Sequence, residues 1–151
     1  MRVLITGFEP NDDDLNASEL VVVSLRDHPT QELRQYIDDI DFKIMPGNTN
    51  ILGQAVDETL KTVAPDICIG VGQARGYNRI ALERMAKNLR YFISLDRAGN
   101  APKGEPIVAD APIAYWNTLP EQDSLVKLLE SHNIPAKISN DYRFYRCSSR
   151  V

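Results

Sequence analysis

Cys147 is the side chain of this sequence best suited to covalent chemistry. It follows the apolar run "IPAKISN" and falls where a helix would begin. The positive end of a helix dipole favours the thiolate over the thiol. By itself, a lone cysteine reads as readily as a small core residue. A thiol nucleophile also needs a base. The two histidines, His28 and His132, lie far apart in polar helix-end contexts. Neither has a cysteine or carboxylate at ligand spacing, so no metal centre is expected. "NDDD", Asn11 to Asp14, lacks the EF-hand spacing and its closing glutamate and reads as a solvated loop. "TGFEP" lacks the three glycines that let a backbone approach pyrophosphate, which argues against a dinucleotide site. "VGQARG" is different. Gly70, Gly72 and Gly76 follow an apolar run and either admit a small polar ligand close to the backbone or form a plain turn. No cofactor is expected.

These groups must be positioned by the elements around them. "RVLITGF", Arg2 to Phe8, reads as a buried strand ended by Gly and Pro. Ala17 to Leu25 suits a helix apolar on most sides, with Asn16 as candidate N-cap. "DFKIMP", Asp41 to Pro46, is a second strand. "TNILGQAVDETLKTVA" is a helix with Ile51, Leu52, Ala55, Val56, Thr59, Leu60 and Val63 on one face. Pro65 stops it, and "DICIGVG" is a third strand. Alternating strands and helices predict an α/β fold with a parallel sheet. "RIALERMAKNL" fits a helix by composition. "DRAGNAPKGEPIVADAP" is a long Gly/Pro-rich loop, and loops of that length inside domains are often functional. "LPEQDSLVKLLESHN" is an amphipathic helix, and "IPAKISN" a last strand.

At 151 residues the chain is expected to form one domain, 1–151, with ordinary hydrophobic and charged content for a globular protein. A net charge of −4 argues against nucleic acid and anionic membranes as partners, since no basic surplus neutralises phosphate. Cys68 and Cys147 make no disulfide framework, and Cys68 is expected as a reduced, buried thiol. "MRVLITGFEP" has no signal-peptide pattern, and no apolar stretch approaches the roughly 20 residues that span a bilayer. The expected location is cytoplasmic.

Several stretches together resemble pyroglutamyl peptidase I, the pyrrolidone-carboxylate peptidase family of cysteine peptidases. They are "VLITGFEP", "PDICIGVGQARG", "IALERMAKNL", "GEPIVADAPIAYWNTLP" and "IPAKISNDYRFYRC", in family order across the whole chain. The resemblance implies a three-layer α/β sandwich with a mostly parallel sheet, and usually a homo-oligomer. It implies hydrolysis that removes an N-terminal pyroglutamate from peptides. Cys147 would be the nucleophile and Glu83 the catalytic carboxylate. A histidine would pass the proton. The substrate-binding set would be Phe8, Asn16, Gly72 and Gln73, with Phe8 a wall of the lactam slot and Gln73 pairing with the lactam through its backbone.

The resemblance also implies losses. The family's histidine lies well beyond the cysteine, and this sequence ends at Val151. The expectation is therefore a C-terminally truncated protein, lacking the family's last strand and helix, and inactive or much weakened. A second ring-clamping Phe is replaced by Asn11, an active-site Arg by Ile93, and the small residues before the nucleophile by Asp141 to Arg143. Two alternatives stand beside this. One is an active peptidase whose base comes from another subunit or a longer parent chain. The other is a non-catalytic interaction module.

Overall fold

The structure is a computed structural model that describes residues 1–10, 15–74, 76–92, 95–119 and 121–140. It has an α/β fold with parallel strand pairing, organised in two compact units. The first holds Met1–Gln73 with the described residues of 94–100, and the second holds the described residues of 74–93 and of 101–146.

In the first unit, β1 (Val3–Phe8) leads through α1 (Ala17–Asp27), α2 (Gln31–Arg34) and a short 3-10 turn (Ile37–Asp39) to β2 (Ile40–Met45). From there α3 (Thr49–Val63) leads to β3 (Ile67–Gly70). The strand order is β2-β1-β3 and both pairings are parallel. The chain moves from β1 to one neighbour and then crosses back to the other. Right-handed crossovers therefore place α1 and α3 on opposite faces of the sheet. β1 is central and buried from Leu4 to Gly7, as expected for a parallel strand covered on both faces. Leu4, Ile5, Val22, Met45 and Val63 form the apolar core.

α1 starts where its sequence predicts. The Asn16 Oδ1 accepts the Ser18 N–H at 3.0 Å and the Ser18 hydroxyl at 2.8 Å. It packs tightly on β1. A Cβ at Gly7 would lie 2.6 Å from the Ser18 carbonyl oxygen. α3 buries Val63 at its end, whereas Ile51 and Leu60 of its predicted apolar face are exposed. Its C-cap Ala64 is left-handed (φ 46°), just before Pro65.

In the second unit, β4 (Ile80–Glu83) pairs in parallel with β9 (Ala136–Ser139), preceded by α4 (Gln122–Ser131). Two short antiparallel ribbons follow β4. β5 (Met85–Lys87) pairs with β8 (Ala114–Trp116), and β6 (Arg90–Tyr91) with β7 (Lys103–Glu105).

Two sequence expectations are corrected. "RIALERMAKNL" forms β4 and β5 rather than a helix. Its Ala, Leu, Glu, Arg, Met and Lys are strong helix formers. Pairing with β9 and β8 overrides that local preference, which is a weak prior. Cys68 is exposed rather than buried. It lies on β3, an outer strand of its three-stranded sheet, which has a strand partner on one side only within that sheet. Partial burial still pushes its thiol pKa up. The long loop holds β7 and is less irregular than expected.

Candidate active site

The first unit holds all four predicted substrate-binding residues. In an open parallel sheet, ligands bind at the carboxyl ends of strands where the strand order reverses. Here that point lies between β1 and β3. Phe8 ends β1, and Gly72 and Gln73 follow β3. The ladder runs on past β3, since Val71 N–H donates to the Thr6 carbonyl at 2.8 Å. Gln73 then turns its side chain to α1, and its Oε1 accepts the Ala17 N–H at 3.1 Å. Phe8 N–H donates to Ser18 Oγ at 3.0 Å, and Asn16 Nδ2 to the Glu9 carbonyl at 3.2 Å. Phe8, Asn16 and Gln73 are thus tied to one another through the N-terminus of α1. Gly72 is exposed beside Gln73. Gly76, at φ 83°, needs the glycine for its turn, whereas a Cβ at Gly70 would meet Thr6 Oγ1 at an ordinary 3.8 Å.

Residues that sequence reasoning missed brace the same pole. Glu9 Oε2 accepts from Gly47 N–H at 3.4 Å and pairs with Arg97 at 3.2 Å. Asp96 is buried. Its Oδ2 accepts the Thr49 N–H at 2.9 Å and the Thr49 hydroxyl at 2.5 Å, and its Oδ1 accepts the Ala98 and Asn100 N–H groups at 2.9 and 2.7 Å. Burial alone would raise its pKa. The bonds from Thr49 and Asn100 outweigh that and hold the carboxyl well below the usual range. Asp96 thereby fastens the 95–100 loop to the N-terminus of α3, where negative charge is favoured. The D-x-x-x-N spacing of Asp96 and Asn100 was the available signal.

The second unit carries Glu83, the last residue of β4. Glu83 is half-buried, and its Oε2 is shut off from solvent with no hydrogen-bond partner among the described residues. Unpaired buried oxygens are rare because each forfeits its hydration. Where one persists, a catalytic role is a standard explanation. Nearby, buried Asn88 donates to the Val108 and Ala111 carbonyls at 2.8 and 3.2 Å and accepts the Val108 N–H at 2.8 Å. That clamp ties the "ERMAKN" stretch to the "IVADA" stretch.

Neither histidine serves these groups within its own unit. His28 caps the C-terminus of α1, the end of the sheet opposite Phe8 and Gln73. His132 caps the C-terminus of α4, before β9, whereas Glu83 faces Ser139 at the far end of β9. His132 is instead engaged locally, its Nδ1 lying 2.9 Å from the Leu128 carbonyl. An apolar cavity of about 430 Å³ lined by Met1, Val3, Leu33, Tyr36, Asp39 and Ile40 sits at the amino ends of β1 and β2. It is lined by no cysteine or histidine and lies at the pole of the sheet opposite Phe8 and Gln73. Cys147, Asn11, Ile93 and the Asp141 to Arg143 segment lie outside the described residues. Among the described residues no group of three or more His, Cys, Asp or Glu side chains suits a metal ion, and no helix is long and apolar enough to cross a membrane.

Comparison with known proteins identifies the family of the chain. The family model described as pyroglutamyl peptidase matches residues 1–150. The chain is 37% identical over 149 residues to a pyrrolidone-carboxylate peptidase of Thermosipho melanesiensis, covering 98% of this chain and 70% of that one. It is 33% identical to the pyrrolidone-carboxylate peptidase of Pyrococcus furiosus, covering 69% of the relative. A solved structure of a mutant pyrrolidone carboxyl peptidase from Pyrococcus furiosus superposes with a TM-score of 0.84 at 34% identity, covering 96% of this chain and 67% of that one.

Proposed function

The chain belongs to the pyroglutamyl peptidase family, and on that premise we propose that it carries the nucleophile and carboxylate of a thiol peptidase for N-terminal pyroglutamyl peptides. In this reading the Cys147 thiolate attacks the pyroglutamyl carbonyl carbon. The scissile C–N bond breaks, the leaving amine takes a proton from an imidazolium, and water then hydrolyses the thioester. Glu83 accepts an N–H from that imidazole and orients it. Phe8, Asn16, Gly72 and Gln73 hold the lactam at the carboxyl ends of β1 and β3.

The observation that carries this reading is the buried, unpartnered Oε2 of Glu83. It is an acceptor that meets no donor among the described residues. The two histidines of these residues cap helix ends at the poles away from the predicted substrate residues and Glu83. In this reading neither histidine is the base, and these residues act as a weak or silent hydrolase. Positioned general bases contribute about 10²- to 10⁴-fold, and that is the expected deficit.

Hydrolysis of a pyroglutamyl-coumarin substrate with and without imidazole in the buffer tests this. The expected result is a low rate that rises with imidazole and disappears in Cys147→Ala. Full activity without imidazole would overturn the missing base. Activity that survives Cys147→Ala would overturn the nucleophile. No thiol-dependent turnover under any condition favours the interaction-module reading.

That second reading has its own observation. Ile113 and Trp116 of the second unit are 83% and 69% exposed, with Tyr115 between them. Apolar side chains clustered on one short ribbon favour self-association, consistent with a homo-oligomer in a cytoplasmic setting. Light scattering that shows a monodisperse monomer at high concentration counts against it.

A further inference from the structure

We propose that Asn117 is the positioning residue that sets the aim of the Glu83 carboxylate, an inference that rests on the catalytic reading of Glu83 given above. Glu83 closes β4, and Arg84 is the single residue between β4 and β5. At this junction the chain leaves its parallel pairing with β9 and enters its antiparallel pairing with β8.

The peptide unit joining Glu83 to Arg84 is held at both ends. Its N–H, on Arg84, donates to the Ser139 carbonyl of β9 at 2.8 Å. Its carbonyl, on Glu83, accepts Nδ2 of Asn117 at 3.0 Å. Because the peptide group is planar, holding its oxygen and its nitrogen restricts how the whole unit can turn, and with it the direction in which the Glu83 side chain leaves the backbone. Asn117 grips the junction a second time, since its own N–H donates to the Arg84 carbonyl at 2.8 Å. The carboxamide cannot turn over freely. Its Oδ1 accepts the Leu119 N–H at 2.7 Å, which directs the NH₂ toward Glu83.

The side chain chemistry is specific. The position needs one donor and one acceptor, opposed, within reach of two backbones. Asn supplies both, while Asp lacks the donor and Ala lacks both. The carboxylate so aimed has a buried oxygen with no partner among the described residues. A group that must meet an imidazole N–H is sensitive to placement, since misplacement by about 1 Å costs on the order of 10²-fold.

The test compares wild type with Asn117→Ala, Asn117→Asp and, as a neighbouring control, Thr118→Ala. Two readouts are taken: the ¹³C resonance of the Glu83 carboxyl in protein labelled at glutamate, and the imidazole-dependent rate on a pyroglutamyl-coumarin substrate. Asn117→Ala and Asn117→Asp are expected to move the Glu83 resonance and lower the imidazole-dependent limiting rate about 10- to 100-fold. The KM for the pyroglutamyl substrate should stay within about twofold, because the side chain of Asn117 is hydrogen-bonded to Glu83 and Leu119 and to none of the predicted lactam residues. Thr118→Ala should change neither readout. An unchanged Glu83 resonance in Asn117→Ala overturns the proposal, as does an equal loss in KM, which would indicate general disruption. If wild type shows no imidazole-dependent rate, the catalytic reading of Glu83 fails. The carboxyl resonance then still decides whether Asn117 positions it.

Discussion

Two glycine-to-alanine substitutions should move stability in opposite directions. At Gly7 an added Cβ would lie 2.6 Å from the Ser18 carbonyl oxygen, 2.9 Å from the Ser18 carbonyl carbon and 3.0 Å from Val22 Cγ2. Comfortable non-bonded separations begin at about 3.5 Å, so the helix must retreat by roughly 0.5–1 Å. Two of the three obstacles are backbone, which cannot swing aside as a side chain would. Overpacking of this kind costs about 1–3 kcal/mol, and the backbone obstacle puts Gly7→Ala toward the upper end. In a chain of this length each kcal/mol lowers the melting temperature by about 2–4 °C, so a fall of about 4–10 °C is expected. At Gly53, inside α3, the added Cβ meets nothing within 4 Å. Replacing an exposed helical glycine by alanine stabilises by about 1 kcal/mol, so Gly53→Ala should melt about 2–4 °C higher. Thermal unfolding followed by far-ultraviolet circular dichroism, at one protein concentration, measures both. A Gly7→Ala variant that melts with wild type would refute the close approach of α1 to β1. The consequence reaches the site, because Ser18 also receives the Phe8 N–H. Movement of α1 therefore displaces Phe8 and the Asn16 and Gln73 side chains bonded beside it.

Asp96→Ala removes the bonds that tie the 95–100 loop to α3 and should cost about 2–3 kcal/mol, read by urea denaturation at neutral pH. Because the folded-state pKa of Asp96 is lowered, its stabilisation is complete above the ordinary carboxylate value of about 3.9 and is lost as pH falls below it. Asp96→Asn should flatten the acid limb of the stability profile, and an unchanged limb would remove Asp96 as its source. Ala64 holds a left-handed conformation that glycine adopts without a Cβ penalty. Ala64→Gly should therefore raise stability by about 0.5–1 kcal/mol in the same denaturation assay. Trp116→Glu should lower the average mass seen by light scattering if the exposed β8 ribbon joins copies of the chain.

Most of the first half of this protein is legible in its sequence, and so are α4 and β9 beyond it. β1, α1, β2, α3 and β3 follow from apolar runs, from Asn16 at a helix start and from Pro65 after a helix end. Those signals are local, so sequence carries them. The second unit is built otherwise. "RIALERMAKNL" has helical composition, yet its partners β9 and β8 lie far along the chain. Pairing across such distances leaves no periodic trace in either partner. Cys68 misled for the same reason, because apolar neighbours in sequence do not tell whether a strand is flanked on one side or two.

The sequence alone determined the α/β class, the family resemblance, and the residue types available for chemistry at Cys147, Glu83 and Gln73. These depend on composition, local patterning and motif order. Tertiary structure decided which groups are braced and which are left waiting. It joined Phe8, Asn16 and Gln73 through the start of α1, pinned the Glu83 peptide between Ser139 and Asn117, and left Glu83 Oε2 buried without a donor among the described residues. Hydrogen-bond satisfaction is a property of three-dimensional neighbours, which is why an unpaired oxygen cannot be read from the letters on either side of it.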